Sequence, residues 1–203
     1  ISNARIKDLI AGDDFVFKNV AYLDTYKISN RVVLFNVAEI CCTKHSKFGN
    51  GILKEGEPEE NRVWIGVANE NDGRRVLPFE SMIPADAYLW SHYRDDNDLL
   101  ARFMELTESG NTGKLDTMGF IDDDCVIKNS NIIKDTKIGK AAYIKGALKL
   151  KNITILSSED EVSQIGEGVE MVNGILGYGS RVFYQAIAIR FVIGRNCQIK
   201  YGA

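Results

Sequence analysis

Aliphatic residues recur through the carboxy-terminal part of this chain at an interval of six. Counting from Val126, every sixth position is Val, Ile or Leu: Val126, Ile132, Ile138, Ile144, Leu150 and Leu156. Four residues after the first three stand Ser130, Thr136 and Ala142, all small. A second series, displaced in phase, pairs Ile165 with Val169, Leu176 with Ser180, Val182 with Ala186 and Ile193 with Cys197, and ends at Ile199. The count slips between Leu156 and Ile165, across the polar run Ser157-Ser158-Glu159-Asp160-Glu161, and again near Met171 and Ile187. A loop pushed out of a coil leaves such a slip.

Six is the wrong period for an α-helix and for a half-buried hairpin strand. It fits a triangular solenoid in which each hexad supplies one short side. The large aliphatic residue points inward, the small one sits at the crowded corner, and three hexads make a turn of about 18 residues. Each turn buries its aliphatic row only by stacking on its neighbours. Gly139, Gly166, Gly177 and Gly194 each follow an inward aliphatic residue, where a tight turn profits from a missing Cβ. An antiparallel sandwich is the competing fold, but it needs hairpin turns every 8–12 residues or so, and those are absent.

The amino-terminal part begins in the same way. Val20, Tyr26 and Val32 lie six apart, and Ile28, Leu34 and Ile40 form a parallel row. The pattern then stops. Lys47-Phe48-Gly49-Asn50-Gly51 is turn chemistry, Glu55 to Asn61 is a polar loop, and Arg62 to Ala68 reads as a strand with a partner in Arg75-Val76-Leu77-Pro78-Phe79. Pro84 suits a first helical residue. Apolar positions at helical spacing predict two helices, about 84–94 and 97–109, the second opened by the Asp95–Asp98 cluster and closed by Gly110. Residues 1–45 are thus expected to be partial coils and 46–112 an insertion of loop, hairpin and helices. From 113 to 203 the coils resume. The hexads run to Ile199 with no capping element after them, so more chain or a partner is expected to cover that end.

Composition narrows the function classes. The 203 residues are 45% hydrophobic and 26% charged, as in an ordinary soluble domain, with a formal net charge of −3. The basic residues are scattered along the chain, so neither nucleic acid nor a membrane is expected as a partner. No apolar run reaches the roughly 20 residues that span a bilayer. The amino terminus does not read as a signal peptide, because Lys7, Asp8, Asp13 and Asp14 interrupt it. Cys41, Cys42, Cys125 and Cys197 have neither disulfide-framework nor zinc spacing. A reducing, cytoplasmic compartment and no metal are therefore expected.

Four places could carry chemistry. In Asn69-Glu70-Asn71-Asp72-Gly73-Arg74-Arg75, the two arginines can grip a phosphate or carboxylate by forked donation. Asn69 and Glu70 would complete that ligand site, with Glu70 orienting an arginine or acting as acid or base; the bland alternative is a solvated hairpin tip. His45, between Lys44 and Lys47, can act as a general base, or is simply a surface residue. His92 reads as structural or exposed. Asp122-Asp123-Asp124 reads as a charged coil entry, because no spaced partner ligands follow it.

The hexads resemble the left-handed β-helix superfamily of hexapeptide-repeat proteins. That likeness implies an all-β-dominated, left-handed parallel β-helix with a small helical and hairpin insertion. More closely, the chain is similar to a bacterial family catalogued as a domain of unknown function, found in Bacteroidetes and spirochaetes. The matching residues are Tyr22-Leu23-Asp24-Thr25-Tyr26-Lys27-Ile28, Phe48-Gly49-Asn50-Gly51, Asn69 to Val76 and Ala85-Asp86-Ala87-Tyr88-Leu89-Trp90. Asp72 stands where that family usually has the first of two glycines. Members of the superfamily include acyltransferases using acyl-CoA or acyl carrier protein, and parts of sugar-nucleotide pyrophosphorylases. The likeness therefore implies a hexapeptide-type transferase with an acyl-CoA or sugar-nucleotide cofactor or substrate, in effect a small phosphorylated ligand. The alternative is a non-catalytic scaffold or binding module of a longer protein. Assembly as a homotrimer, or packing against further regions of that protein, follows from the same likeness.

Overall fold

The structure is a computed structural model that describes residues 1–67, 73–109 and 117–203. Its strands, in chain order, are β1 (Ser2–Ala11), β2 (Val16–Ile28), β3 (Val33–Cys41), β4 (Ile65–Gly66) and β5 (Arg75–Val76). After the helices α1 (Pro84–His92) and α2 (Asn97–Ser109) come β6 (Gly119–Ile121), β7 (Val126–Ile138), β8 (Tyr143–Lys145) and β9 (Lys149–Ile155). The chain closes with β10 (Gln164–Ile165), β11 (Glu170–Leu176), β12 (Arg181–Val182), β13 (Ile187–Ile193) and β14 (Gln198–Ile199). All pair in parallel except β4 with β5, which form a small antiparallel ribbon.

The register gives the true period. Phe17 pairs with Leu34, Ile127 with Ile144, and Ile165 with Val182, a return of 17 residues that lengthens to 21 between Ile144 and Ile165, across the polar 157–161 run, and to 93 between Leu34 and Ile127, across the insertion. Each return is one rung, and its inward residues fall in three rows. The first contains Phe17, Leu34, Ile127, Ile144, Ile165 and Val182; the second Leu23, Ile40, Ile133, Leu150 and Met171; the third Ile28, Ile121, Ile138, Ile155 and Leu176. All of these are almost fully buried. Successive inward residues are therefore six, five and six apart, as in Ile127, Ile133, Ile138 and Ile144. A strict count of six drifts by one residue per rung. It meets the interior at Ile138, Ile144 and Leu150 but not at Val126, Ile132 or Leu156. Those three are half-buried, and Ile127, Ile133 and Ile155 take their places inside.

Corners separate the rows, and most corners hold a residue with positive φ. Asn19, Asn36 and Asn129 share one corner, and Thr25, Asp135, Asn152 and Asn173 share the next. Asn and Asp tolerate this region better than other side chains with a Cβ. The first corner is further tied by a chain of amide bonds: Asn3 to Asn19 at 3.2 Å, Asn19 to Asn36 at 2.9 Å, and Asn36 to Asn129 at 3.1 Å. The glycines after inward residues do a different job from the turn role expected of them. None of Gly139, Gly166, Gly177 and Gly194 has positive φ. At Gly177 a Cβ would lie 2.6 Å from the Gly194 carbonyl carbon, and at Gly166 it would enter the Phe183 ring. The missing side chain there lets neighbouring rungs approach.

One buried polar contact crosses the interior. The Tyr26 ring lies where a Cβ on Gly119 would sit, and its hydroxyl bonds the Thr136 hydroxyl at 2.9 Å and accepts the Thr136 N–H at 3.2 Å. Tyr26 thus spans the rung of β6 to reach β7, and burial pushes its phenol pKa upward.

The stacking stops at Cys41 and resumes at Gly119, across the insertion. Helices α1 and α2 start at Pro84 and Asn97 as expected; α1 ends at His92, two residues earlier than predicted. The insertion has its own apolar cluster, in which Trp90 stacks on Phe103 at 5.0 Å and meets Trp64 edge-on at 6.4 Å. It covers the outward side of the third row, where Phe120, Lys137, Thr154, Ile175 and Val192 follow one another from rung to rung.

Candidate functional site

Loop 43–51 pins the insertion to the stack. Asn152, in its left-handed corner, accepts hydrogen bonds from the Lys47 and Gly49 amides at 2.9 and 3.2 Å. Thr154 donates to the Phe48 carbonyl at 2.7 Å, and the Lys137 ammonium sits 4.9 Å from the Phe48 ring centre. The loop is closed by a nearly buried ion pair, Lys47 Nζ to Glu57 Oε2 at 2.7 Å, and Lys47 also donates to the Asn61 carbonyl at 2.9 Å. Burial works to raise the Glu57 pKa, but hydrogen bonds from Lys47 and the Lys54 amide win and hold it below its ordinary 4.5. A depressed carboxylate contributes stability that is present at neutral pH and lost as pH falls through the lowered value. Protection of the Lys54 amide against hydrogen exchange is therefore expected to hold down to pH 4.5 and to collapse below it, ahead of the amides of β7.

With the loop pinned, a cleft opens between α1, the β4–β5 ribbon and the outer side of β13. It encloses 430 Å³ and is lined mainly by apolar groups, among them Ile65, Val76, Met82, Tyr88 and Val192. A second space of 420 Å³ continues past the strap Met82-Ile83-Pro84 toward Tyr178 and Arg195, over the same floor of Val192 and Gly194. Arg74, Ser91 and His92 are the polar residues of the first space. The Tyr88 and His92 rings are stacked at 5.0 Å, one helical turn apart on α1, and Ser91 donates to the Tyr88 carbonyl at 3.2 Å.

The sequence-derived candidates fall in different places. Asn69 and Glu70 lie outside the described residues; Val67 and Arg74, on either side of them, both line the cleft. Arg74 and Arg75 meet different surroundings. Neighbours in a strand face opposite ways, so Arg74 borders the cleft while the Arg75 guanidinium lies 5.9 Å from the Trp64 ring. His45 is 72% exposed, with Nδ1 3.8 Å from Glu57, and is not part of the cleft lining. His92, read from the sequence as structural or exposed, is exposed and does line the cleft. Only its spacing of four from Tyr88 hinted that the two share a helix face.

The aspartate run is held within the fold. Asp123 accepts from the Asn30 amide at 2.8 Å, and Asp124 binds Arg31 through two bonds of 2.6 and 2.8 Å, so the aspartate run staples a corner. Among the described residues no group of His, Cys, Asp and Glu is arranged to hold a metal ion. Burial pushes the Cys41, Cys42 and Cys125 thiols up to about 12, which keeps them protonated and poorly nucleophilic at neutral pH. No helix among the described residues is long and apolar enough to cross a membrane.

Fold and site together define an all-β-dominated protein of stacked parallel strands, with a helical insertion roofing an apolar cleft. The chain belongs to the family described as domain of unknown function (DUF4954), whose pattern it matches over residues 1–202. It is 46% identical over 184 residues to an uncharacterised protein of Treponema pallidum (strain Nichols), a match covering 91% of this chain and 25% of that protein. The chain thus spans about a quarter of the length of this relative. No solved structure matches it significantly.

Proposed function

We propose that this chain is a left-handed hexapeptide β-helix whose insertion forms a ligand-binding cleft, serving as a binding module within a longer polypeptide. The 17-residue return and the three inward rows support a three-sided coil, and the likeness of its spacing to hexapeptide-repeat proteins supports the left-handed sense. The cleft carries the functional part: its 430 Å³ falls within the ~300–1,000 Å³ of small-molecule sites, and its apolar walls meet one arginine. A ligand with a flat or aliphatic body and a single anionic group suits that lining. Acyl-CoA and sugar nucleotides each carry two or more phosphate charges, of which Arg74 is the residue to meet one while the others stay in solvent.

The experiment is a thermal-shift screen of acyl-CoA thioesters and sugar nucleotides. A ligand at about 100 times its Kd is expected to add about 2.7 kcal/mol of stability. Arg74→Ala is expected to remove the shift for phosphorylated compounds and to keep it for their dephosphorylated analogues. No shift with any compound would end the binding proposal.

One observation favours a second proposal, a hexapeptide-type transferase. His92 lines the same cleft and can take a proton from a hydroxyl or amine acceptor. Turnover lost in His92→Ala with ligand binding retained would support it, and absence of turnover with every donor and acceptor pair would remove it.

A further inference from the structure

We propose that the outward side of the first row is a binding face for single-stranded nucleic acid. In sequence the basic residues are scattered. Parallel stacking gathers positions one return apart, whether that return is 17 residues or longer across a loop, and it does so for the residues beside the first inward row. Lys18 pairs with Phe35, Phe35 with Lys128, and Lys128 with Lys145. Gly166 and Phe183 follow in the next rungs, and Lys200 lies one residue beyond Ile199. The companion column two residues earlier contains Val16, Val33, Val126, Tyr143, Gln164 and Arg181.

Neither column, from β2 to β14, contains an aspartate or glutamate. Five cations therefore share one face of a chain whose net charge is −3. The acid nearest in register is Glu167 at the neighbouring corner, paired with Lys145 at 3.1 Å. Adjacent rungs stand about 4.8 Å apart, so Lys18 and Lys145, three rungs apart, are separated by about 14 Å.

The aromatic residues on this face are placed as platforms. Gly166 leaves the space in which the Phe183 ring lies across the neighbouring rung. Phe35 already holds a cation over its ring, Lys18 Nζ at 5.7 Å. Tyr143 is 36% exposed. Flat rings on an open sheet flanked by lysines accept bases by stacking and phosphates by charge, without sequence preference. A bilayer is less well suited. The other outward groups in these columns are valines, glutamines and a glycine, which offer little apolar reach into an acyl region.

The test is fluorescence anisotropy with a labelled oligo(U) of about 16 nucleotides, at about 50 and 200 mM salt. Binding is expected at the lower salt and strongly reduced at the higher. Lys128→Glu with Lys145→Glu should abolish it; neutral Lys128→Gln should lower the log–log salt slope by about 0.7. Phe183→Ser is expected to weaken binding roughly fivefold or more with the slope unchanged. Lys149→Glu with Lys151→Glu, the same charge change beside the second row, should have little effect. Each alternative result overturns the proposal: no binding at low salt, equal loss from the Lys149 and Lys151 pair, competition by polyglutamate as strong as by unlabelled oligo(U), or capture by phosphatidylserine vesicles without oligonucleotide binding. Circular dichroism of every variant checks that the strands are intact.

Discussion

Ile133→Ala is expected to lower the unfolding free energy by about 2–5 kcal/mol, whereas Ile132→Ala, one residue earlier, should cost less than about 1 kcal/mol. Ile133 is 0% exposed in the second inward row, stacked between Ile40 and Leu150, with inward neighbours on both adjacent rungs. Truncation removes most of a buried side chain, and a rigid stack of rungs cannot close around the gap. Ile132 points outward beside Glu39 and Lys149, so its loss exposes little that is new. Urea denaturation of the two variants measures the difference. Equal losses would mean that the strict six-residue count, with Ile132 inside, describes the interior better than the 17-residue return.

Gly49→Ala is expected to destabilise the insertion by about 3 kcal/mol. Gly49 has φ +80°, where a Cβ is strained by about 1–3 kcal/mol. An added Cβ would also lie 2.0 Å from the Gly174 carbonyl oxygen, a backbone atom held in the parallel ladder. The ladder cannot move aside, so the loop must. Its bonds to Asn152 and Thr154 should break together, and the roof of the cleft should loosen with them. Hydrogen exchange should show loss of protection at the Lys47 and Gly49 amides, with β7 and β9 little changed. Ligand shifts in the cleft should shrink in parallel. Gly56→Ala is the control: its φ of +81° is equally unfavourable, but nothing lies within 4 Å of an added Cβ. A similar loss there would assign the effect to backbone strain alone.

The two substitutions probe different kinds of information. The existence of a β-rich stack was legible because aliphatic spacing is a one-dimensional trace of a repeated three-dimensional contact. The helices were legible too, since Pro84 and the acidic cluster before Leu99 mark their starts locally. The phase was not. A corner shortened by one residue, as between Ile133 and Ile138, changes which neighbour faces inward, and in runs such as Val126-Ile127, Ile132-Ile133 and Ile155-Leu156 both candidates are aliphatic. Hydropathy cannot choose between them; the ladder register can.

The candidate site was legible only in part. Its arginine-bearing turn stood out by polarity, but His92, Tyr88 and the floor at Val192 and Gly194 come from segments about a hundred residues apart. What the sequence determined by itself was the all-β-dominated class of fold and the two helices, because each depends on short-range spacing and end signals. Tertiary structure alone decided which aliphatic residues are inside, which arginine meets the cleft and that dispersed lysines share a face. Those outcomes depend on pairing between distant segments, and the return that produces them is set by corner geometry and close stacking, to which Asn, Asp and Gly contribute but which the spacing of aliphatic residues does not record.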